Sequence, residues 1–167
     1  FSPYAKEAKR RIQSRKSPLI INYQMNVGHI PYDHWVHTEE GGGRIIGEAC
    51  HIFDLFRFFT DAAVESVSID KINPNGNYYS EKDNAVITLK YQDGSVCTLT
   101  YTALGHKSYP KELCHIYFDG KIIVINNYES IEGFGVKTKN IKSKNPDKGH
   151  FEELAAFAKY ARGEGPA

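Results

Sequence analysis

No glycine-rich phosphate turn can be spelled anywhere in these 167 residues. Neither GxGxxG nor a P-loop is present, because the triple glycine Gly41, Gly42 and Gly43 lacks the spacing that either motif needs. A dinucleotide or nucleotide site of those two kinds is excluded. Cysteine is scarce and odd in number: Cys50, Cys97 and Cys114, without CxxC spacing. That rules out a fully paired disulfide framework, and free thiols in a reducing compartment are the simplest account, so the expected location is the cytoplasm. No apolar run approaches the roughly 20 residues of a membrane span, and the basic, apolar-poor N-terminus is not a signal peptide. A surplus of one charge is missing too. Twenty-one Lys and Arg stand against 20 Asp and Glu, a net charge of +1, so no strong field argues for nucleic acid or an anionic membrane. The 41% hydrophobic and 25% charged shares suit a single soluble domain over residues 1–167, with a sizeable core.

Taken in order, the chain reads first as a helix from Pro3 to Ser14, capped by Ser2 and closed by Lys and Arg. Its apolar content is thin, which predicts packing by one edge, against a further domain. Leu19 to Val27 alternates as a strand, with Ile21, Tyr23 and Met25 opposed to Ile20, Asn22, Gln24 and Asn26. Gly28 to Gly43 is a long loop carrying His29, Tyr32, His34, Trp35 and His37. The three histidines lack the spacing and fourth group of a zinc site, so no metal is expected. Tyr32 and Trp35 read as a pocket wall or a packing plug.

Strands are expected at Val64 to Ile72, Asn84 to Tyr91, Ser95 to Ala103, Glu112 to Phe118 and Lys121 to Ile125, with Asp93-Gly94 and Asp119-Gly120 as hairpin turns. A last strand is expected between Val136 and Lys142, where Lys137, Lys139, Lys142 and Lys144 suit a solvated edge. Asp147 to His150 then opens a helix, Phe151 to Arg162, with Leu154, Phe157 and Ala158 inward. Lys148 and His150 stand at its start, where donors can hold an anion or an oxygen-rich ligand; a plain helix start capped by Asp147 is the alternative. The element order gives an α+β domain, with an open, mostly antiparallel sheet and helices on one face.

The organising stretch is GGGRIIGEACHIFDLFRFF, from Gly41 to Phe59. At a helical 100° or so per residue, Ile45, Ala49, Ile52, Phe53 and Phe56 share one side, and Arg44, Gly47, Glu48, His51 and Asp54 the other. Such a stripe either lines a pocket with titratable groups or is tied up in ion pairs, Arg44 with Glu48 being an obvious i, i+4 pair. Pattern alone leaves both open.

This stretch resembles the signature of the C-terminal domain of the Gfo/Idh/MocA oxidoreductases: GGG, three residues, Asp, three residues, His, two residues, Asp. His51 sits on the family's histidine and Asp54 on its later aspartate, while Gly47 stands where most members have an Asp. FSPYA, NYQMNVGHIPYDHWV, DNAVITLKYQDGS and DKGHFEELAAF are similar to the branch containing bidomain oxidoreductases. The resemblance implies a glyceraldehyde-3-phosphate dehydrogenase-like C-terminal domain. It implies NAD or NADP held mainly by an N-terminal Rossmann domain upstream of Phe1, and a homodimer or homotetramer formed through the sheet. It places the 28–43 loop near substrate, making Asn26, His34 and Trp35 candidate contacts.

Function then has two readings. In the first, the chain is the substrate-binding and catalytic half of an NAD(P)-dependent oxidoreductase for a sugar, cyclitol or nucleotide-sugar alcohol. His51 is the acid/base, Glu48 or Arg44 orients it, and Asp54, Lys148 and His150 join Arg44 as substrate contacts. In the family that work is shared with a lysine of the nucleotide-binding domain. In the second, the chain is a non-catalytic oligomerisation or ligand-binding module whose site has degenerated, as Gly47 suggests, and His51 is a histidine satisfied by a neighbour.

Overall fold

The computed structural model describes residues 1–76, 78–139 and 141–164. Helix α1 (Pro3–Ile12) begins where its signals predict, with the Ser2 hydroxyl accepting from the Ala5 amide at 3.0 Å. Its few apolar residues, Tyr4, Ala5, Ala8 and Ile12, recur at helical spacing and all are buried in the domain's own core. The helix packs by one edge, as expected, but against this domain's own core instead of a further domain: sparse apolar residues suffice when all of them fall on one stripe. Lys9 pairs with Asp61, which caps helix α2 (Cys50–Thr60) in the left-handed region and so ties the two helices together.

Both helices cover one face of a seven-stranded sheet. Its strands are β1 (Ile20–Asn26), β2 (Val64–Lys71), β3 (Ala85–Tyr91), β4 (Val96–Thr102), β5 (Glu112–Phe118), β6 (Lys121–Asn126) and β7 (Ser130–Phe134). They lie side by side as β2-β3-β4-β1-β5-β6-β7. All neighbours are antiparallel except β1 and β4, which run parallel at the centre. Tyr23 lies opposite Leu99 on β4 and Cys114 on β5. Alternation works as read: Ile21, Tyr23 and Met25 are buried, and Ile20 faces out. On edge strand β2 even Val67 and Ile69, opposite the buried Leu89 and Ile87, stay about half exposed.

The β5–β6 hairpin turns at Asp119-Gly120, both at positive φ, as its sequence advertises. The turn after β6 is hidden. It bends at Asn127 and Tyr128, with φ of 49° and 53°, and closes through the Glu129 amide to the Asn126 carbonyl at 2.9 Å. No glycine marks it, and it lets β7 follow at once, at Ser130–Phe134 instead of between Val136 and Lys142. Of the described residues in that stretch only Lys142 makes a bridge, to Ser130; Asn140 lies outside the described residues.

Helix α3 (His150–Ala161) corrects a second expectation. None of its residues is buried; Leu154 and Phe157 are 68% and 66% exposed, and Phe151 and Tyr160 extend the same uncovered stripe. The helix has the expected apolar face, but among the described residues that face is left exposed.

Candidate active site

The polar stripe begins in a distorted turn. Ile45–Ala49 winds as a π-helical turn before α2 takes over at Cys50. An i→i+5 turn advances fewer degrees per residue than an α-turn, so between Arg44 and His51 the two geometries diverge by roughly a quarter of a circle. Arg44 is thereby swung inward and is fully buried. Its Nη1 donates to the Gly28 carbonyl at 2.7 Å and its Nη2 to the Val27 carbonyl at 3.1 Å. The guanidinium lies 5.8 Å from the Tyr101 ring centre, and Nε is 3.6 Å from Glu48 Oε1. The i, i+4 ion pair exists, and it grips the backbone that leaves β1.

The remaining stripe faces an open cavity of about 540 Å³. Glu48, His51 and Asp54 line it from the site helix, and Lys148 and His150 from the start of α3. Both readings of the stripe are thus realised together: Arg44 is tied up, and the other three titratable groups form a wall. Glu48 is held between Arg44 and Lys111, whose Nζ is 3.8 Å from Glu48 Oε2. His51 is exposed to the cavity, one helical turn beyond Gly47.

The structure does not bring Asn26, His34 or Trp35 to this cavity. The Asn26 amide donates to the carbonyls of His106 and Tyr109, at 2.8 and 3.4 Å, beside an adjacent cleft that shares Lys111. His34 caps the short turn Trp35–His37 by accepting from the Val36 amide at 3.3 Å. Trp35 and Tyr32 are 65% and 50% exposed, so neither is a packing plug within this domain, and neither lines this cavity. The loop is pinned at its base, by Arg44 and by His37 Nε2 lying 3.7 Å from Asp83 Oδ2, and its tip stands in solvent. Burial raises the Asp83 carboxyl above its ordinary value against the opposing pull of His37 and Arg44. His29 stacks on Tyr78. Among the described residues no three His, Cys, Asp or Glu side chains are placed to hold a metal ion.

Three residues of the cavity region escape a motif reading: Glu112, Tyr128 and Tyr23. Glu112 is buried at the first position of β5, where it accepts from the Tyr23 hydroxyl and pairs with Lys148. The hydroxyls of Tyr23 and Tyr128 lie 3.1 Å apart. Burial, reinforced by Tyr128 and the Glu112 carboxylate, pushes the Tyr23 phenol well above its usual value, so it stays a donor. Strand alternation could have found Glu112, since Cys114, Ile116 and Phe118 share its inward parity.

Comparison with known proteins agrees with this architecture. Residues 6–124 match the model of the GFO/IDH/MocA C-terminal domain. The chain belongs to the Gfo/Idh/MocA family, as a C-terminal domain. A search of curated proteins finds no match. Among solved structures, an oxidoreductase from Thermotoga maritima is 18% identical, with a TM-score of 0.74 over 99% of this chain and 50% of its own. UDP-N-acetylglucosamine 3-dehydrogenase from Acidithiobacillus ferrooxidans is 15% identical, with a TM-score of 0.68 over 96% of this chain and 53% of that one. The WlbA dehydrogenase from Bordetella pertussis, solved with NADH and UDP-GlcNAcA, is 16% identical, with a TM-score of 0.67 over 98% and 50%. The chain therefore spans about half the length of the solved structures it matches, and at these identities the likeness establishes the fold.

Proposed function

We propose that this chain is the substrate-binding and catalytic half of an NAD(P)-dependent oxidoreductase acting on an alcohol carbon of a sugar, cyclitol or nucleotide sugar. The observation that carries this reading is the convergence of Glu48, His51 and Asp54 with Lys148 and His150 on one open cavity. An imidazole there can take the hydroxyl proton as the carbon is oxidised and return it in the reverse direction. Glu48, which lies between Arg44 and Lys111, orients it. Asp54, Lys148 and His150 meet the other hydroxyls. A bound nicotinamide supplies the hydride acceptor. The absence of a glycine-rich phosphate turn from this sequence, beside relatives about twice as long, supports NAD or NADP being held mainly by an N-terminal domain.

Gly47 favours a second reading, a ligand-binding or oligomerisation module without chemistry, because it leaves the helix short of the family's first carboxylate. His51→Ala in the complete gene product separates the two. Nicotinamide reduction with a panel of sugars and polyols should fall by about two to four orders of magnitude in kcat. The circular dichroism spectrum should not change, because His51 is exposed. Unaltered turnover would overturn the catalytic reading, and loss of fold together with activity would make His51 a structural residue.

The outer face of the sheet, where Ile20 and Val86 are exposed, supports a homodimer or homotetramer formed through that face, which light scattering reads directly. Three free cysteines support a reducing, cytoplasmic location.

A further inference from the structure

Lys148 enters the cavity with its charge already answered. Its ammonium pairs with the buried Glu112 carboxylate and lies 5.8 Å from the centre of the Tyr128 ring. Glu112 is itself fixed by the Tyr23 hydroxyl. The backbone on either side of Lys148 is also set. Asp147 donates its amide to the Tyr128 carbonyl at 2.9 Å and accepts from the Gly149 amide at 3.0 Å. Gly149 has φ of +85°, and a Cβ there would come within 2.8 Å of the Phe1 carbonyl oxygen, so only glycine fits. Tyr128 keeps its ring in this cluster from a left-handed backbone at φ 53°, a conformation that costs a bulky residue energy and persists where the surroundings enforce it.

The cavity's charges follow the same pattern. Four carboxylates and two lysines line it. Lys148 answers Glu112 and Lys111 answers Glu48, while Asp54 and Glu153 complete the acidic set. An ammonium has three donors, and one directed at Glu112 leaves two for a ligand. Those two offer hydrogen bonds without net attraction for an anion. Sugar hydroxyls suit this arrangement, since they accept from Lys148 and donate to Asp54 or Glu153. A ligand carboxylate would have to compete with Glu112 and face the two remaining acids.

We propose that the cavity selects the uncharged, hydroxyl-bearing form of a sugar ring over the corresponding uronic acid. Lys148 is the contacting donor, and Glu112 the positioning residue that holds and neutralises it. This rests on the reading of the cavity as the substrate site.

D-glucose and D-glucuronate differ at one carbon and make a direct probe pair. Their equilibrium binding to the complete gene product, followed by NMR titration, should favour glucose by about tenfold or more. Glu112→Gln keeps an acceptor for Tyr23 but releases the lysine charge, and should move the ratio toward glucuronate by about tenfold. Lys148→Met should weaken glucose by about the same factor without gaining glucuronate. Lys148 is partly exposed, so this variant remains informative if Glu112→Gln fails to fold. Equal or tighter binding of glucuronate to the unaltered protein, no detectable binding of either sugar, or a ratio that neither variant moves would overturn the proposal. The expected ratios without turnover of any alcohol would sink the oxidoreductase reading alone. Turnover with unmoved ratios would sink this one alone.

Discussion

The Arg44 guanidinium donates to the carbonyl oxygen of Gly28 at 2.7 Å, tying the first turn of the site helix to the exit of the central strand. Arg44 is therefore a structural residue whose loss is felt without any substrate. Arg44→Met should lower the unfolding free energy by about 2–4 kcal/mol, because it leaves the Val27 and Gly28 carbonyls unpaired. Urea denaturation of the ligand-free protein measures this. A midpoint identical to that of the unaltered protein would return Arg44 to the list of substrate contacts.

Gly47 is replaceable. A Cβ built there meets no atom within 4 Å, and its φ is not in the left-handed region. Gly47→Ala should stabilise the protein by up to about 1 kcal/mol, the usual gain of alanine over glycine within a helix. Gly47→Asp should fold as well and return the family's carboxylate to the stripe one turn before His51. Under the catalytic reading kcat should then rise by about tenfold, and Glu48→Gln should lower it, both in steady-state assays of the complete protein. A drop in kcat for Gly47→Asp would mean that Glu48 has taken over the role and a second acid obstructs it.

Glu7 should contribute to acid stability. Burial pushes its carboxyl up, but hydrogen bonds from Arg10, the Lys139 amide and Arg11 outweigh that and hold it at about 2. With the folded value below the ordinary 4.5, its contribution is complete above that value and is lost as pH falls toward 2. Glu7→Gln should therefore cost about 2 kcal/mol near neutrality, and the difference between the two proteins should close progressively below about pH 4. Thermal melts across that range test it. A difference that does not depend on pH would show that shape, not charge, is what Glu7 supplies.

The cysteines should separate by burial. Cys50 is exposed, whereas Cys97 and Cys114 are buried and their thiols are pushed up, Cys97 to about 12. Burial is the main cause for both. Ellman's reagent at mildly alkaline pH should label one thiol in the native protein and three in denaturant. Fewer than three in denaturant would reveal a disulfide and contradict a reducing compartment.

Period-two alternation made the inner face of β1, β3, β4 and β5 readable, and the stop signals around the site helix were plain. Three features were opaque for specific reasons. The π-turn at Ile45–Ala49 breaks the fixed angle on which a helical projection depends, so the projection puts Arg44 on the polar stripe whereas the fold buries it. Strand β7 follows a turn made by Asn127 and Tyr128, residues that carry no sequence mark of positive φ comparable to glycine. The apolar stripe of α3 predicts burial, but a sequence cannot say whether the covering surface belongs to the same fold unit. At the site, Glu48, His51, Asp54, Lys148 and His150 could be gathered from spacing and resemblance. Glu112 follows from the inward parity of β5, but its pairing with Tyr23 and Lys148 does not, since that depends on how β1 and the segment before α3 meet β5.

Strand β1 is the second element of this domain, yet it is flanked on both sides by strands that start only at Val96 and Glu112. Its inner residues Ile21, Tyr23 and Met25 must wait, with both backbone edges open, for most of the domain to leave the ribosome. Closing such distant pairings costs loop entropy before any contact rewards it, which slows the formation of this sheet. A nascent chain halted before Phe118 would expose a strand built for the middle of a sheet, whose ready partner is another unfinished copy of itself.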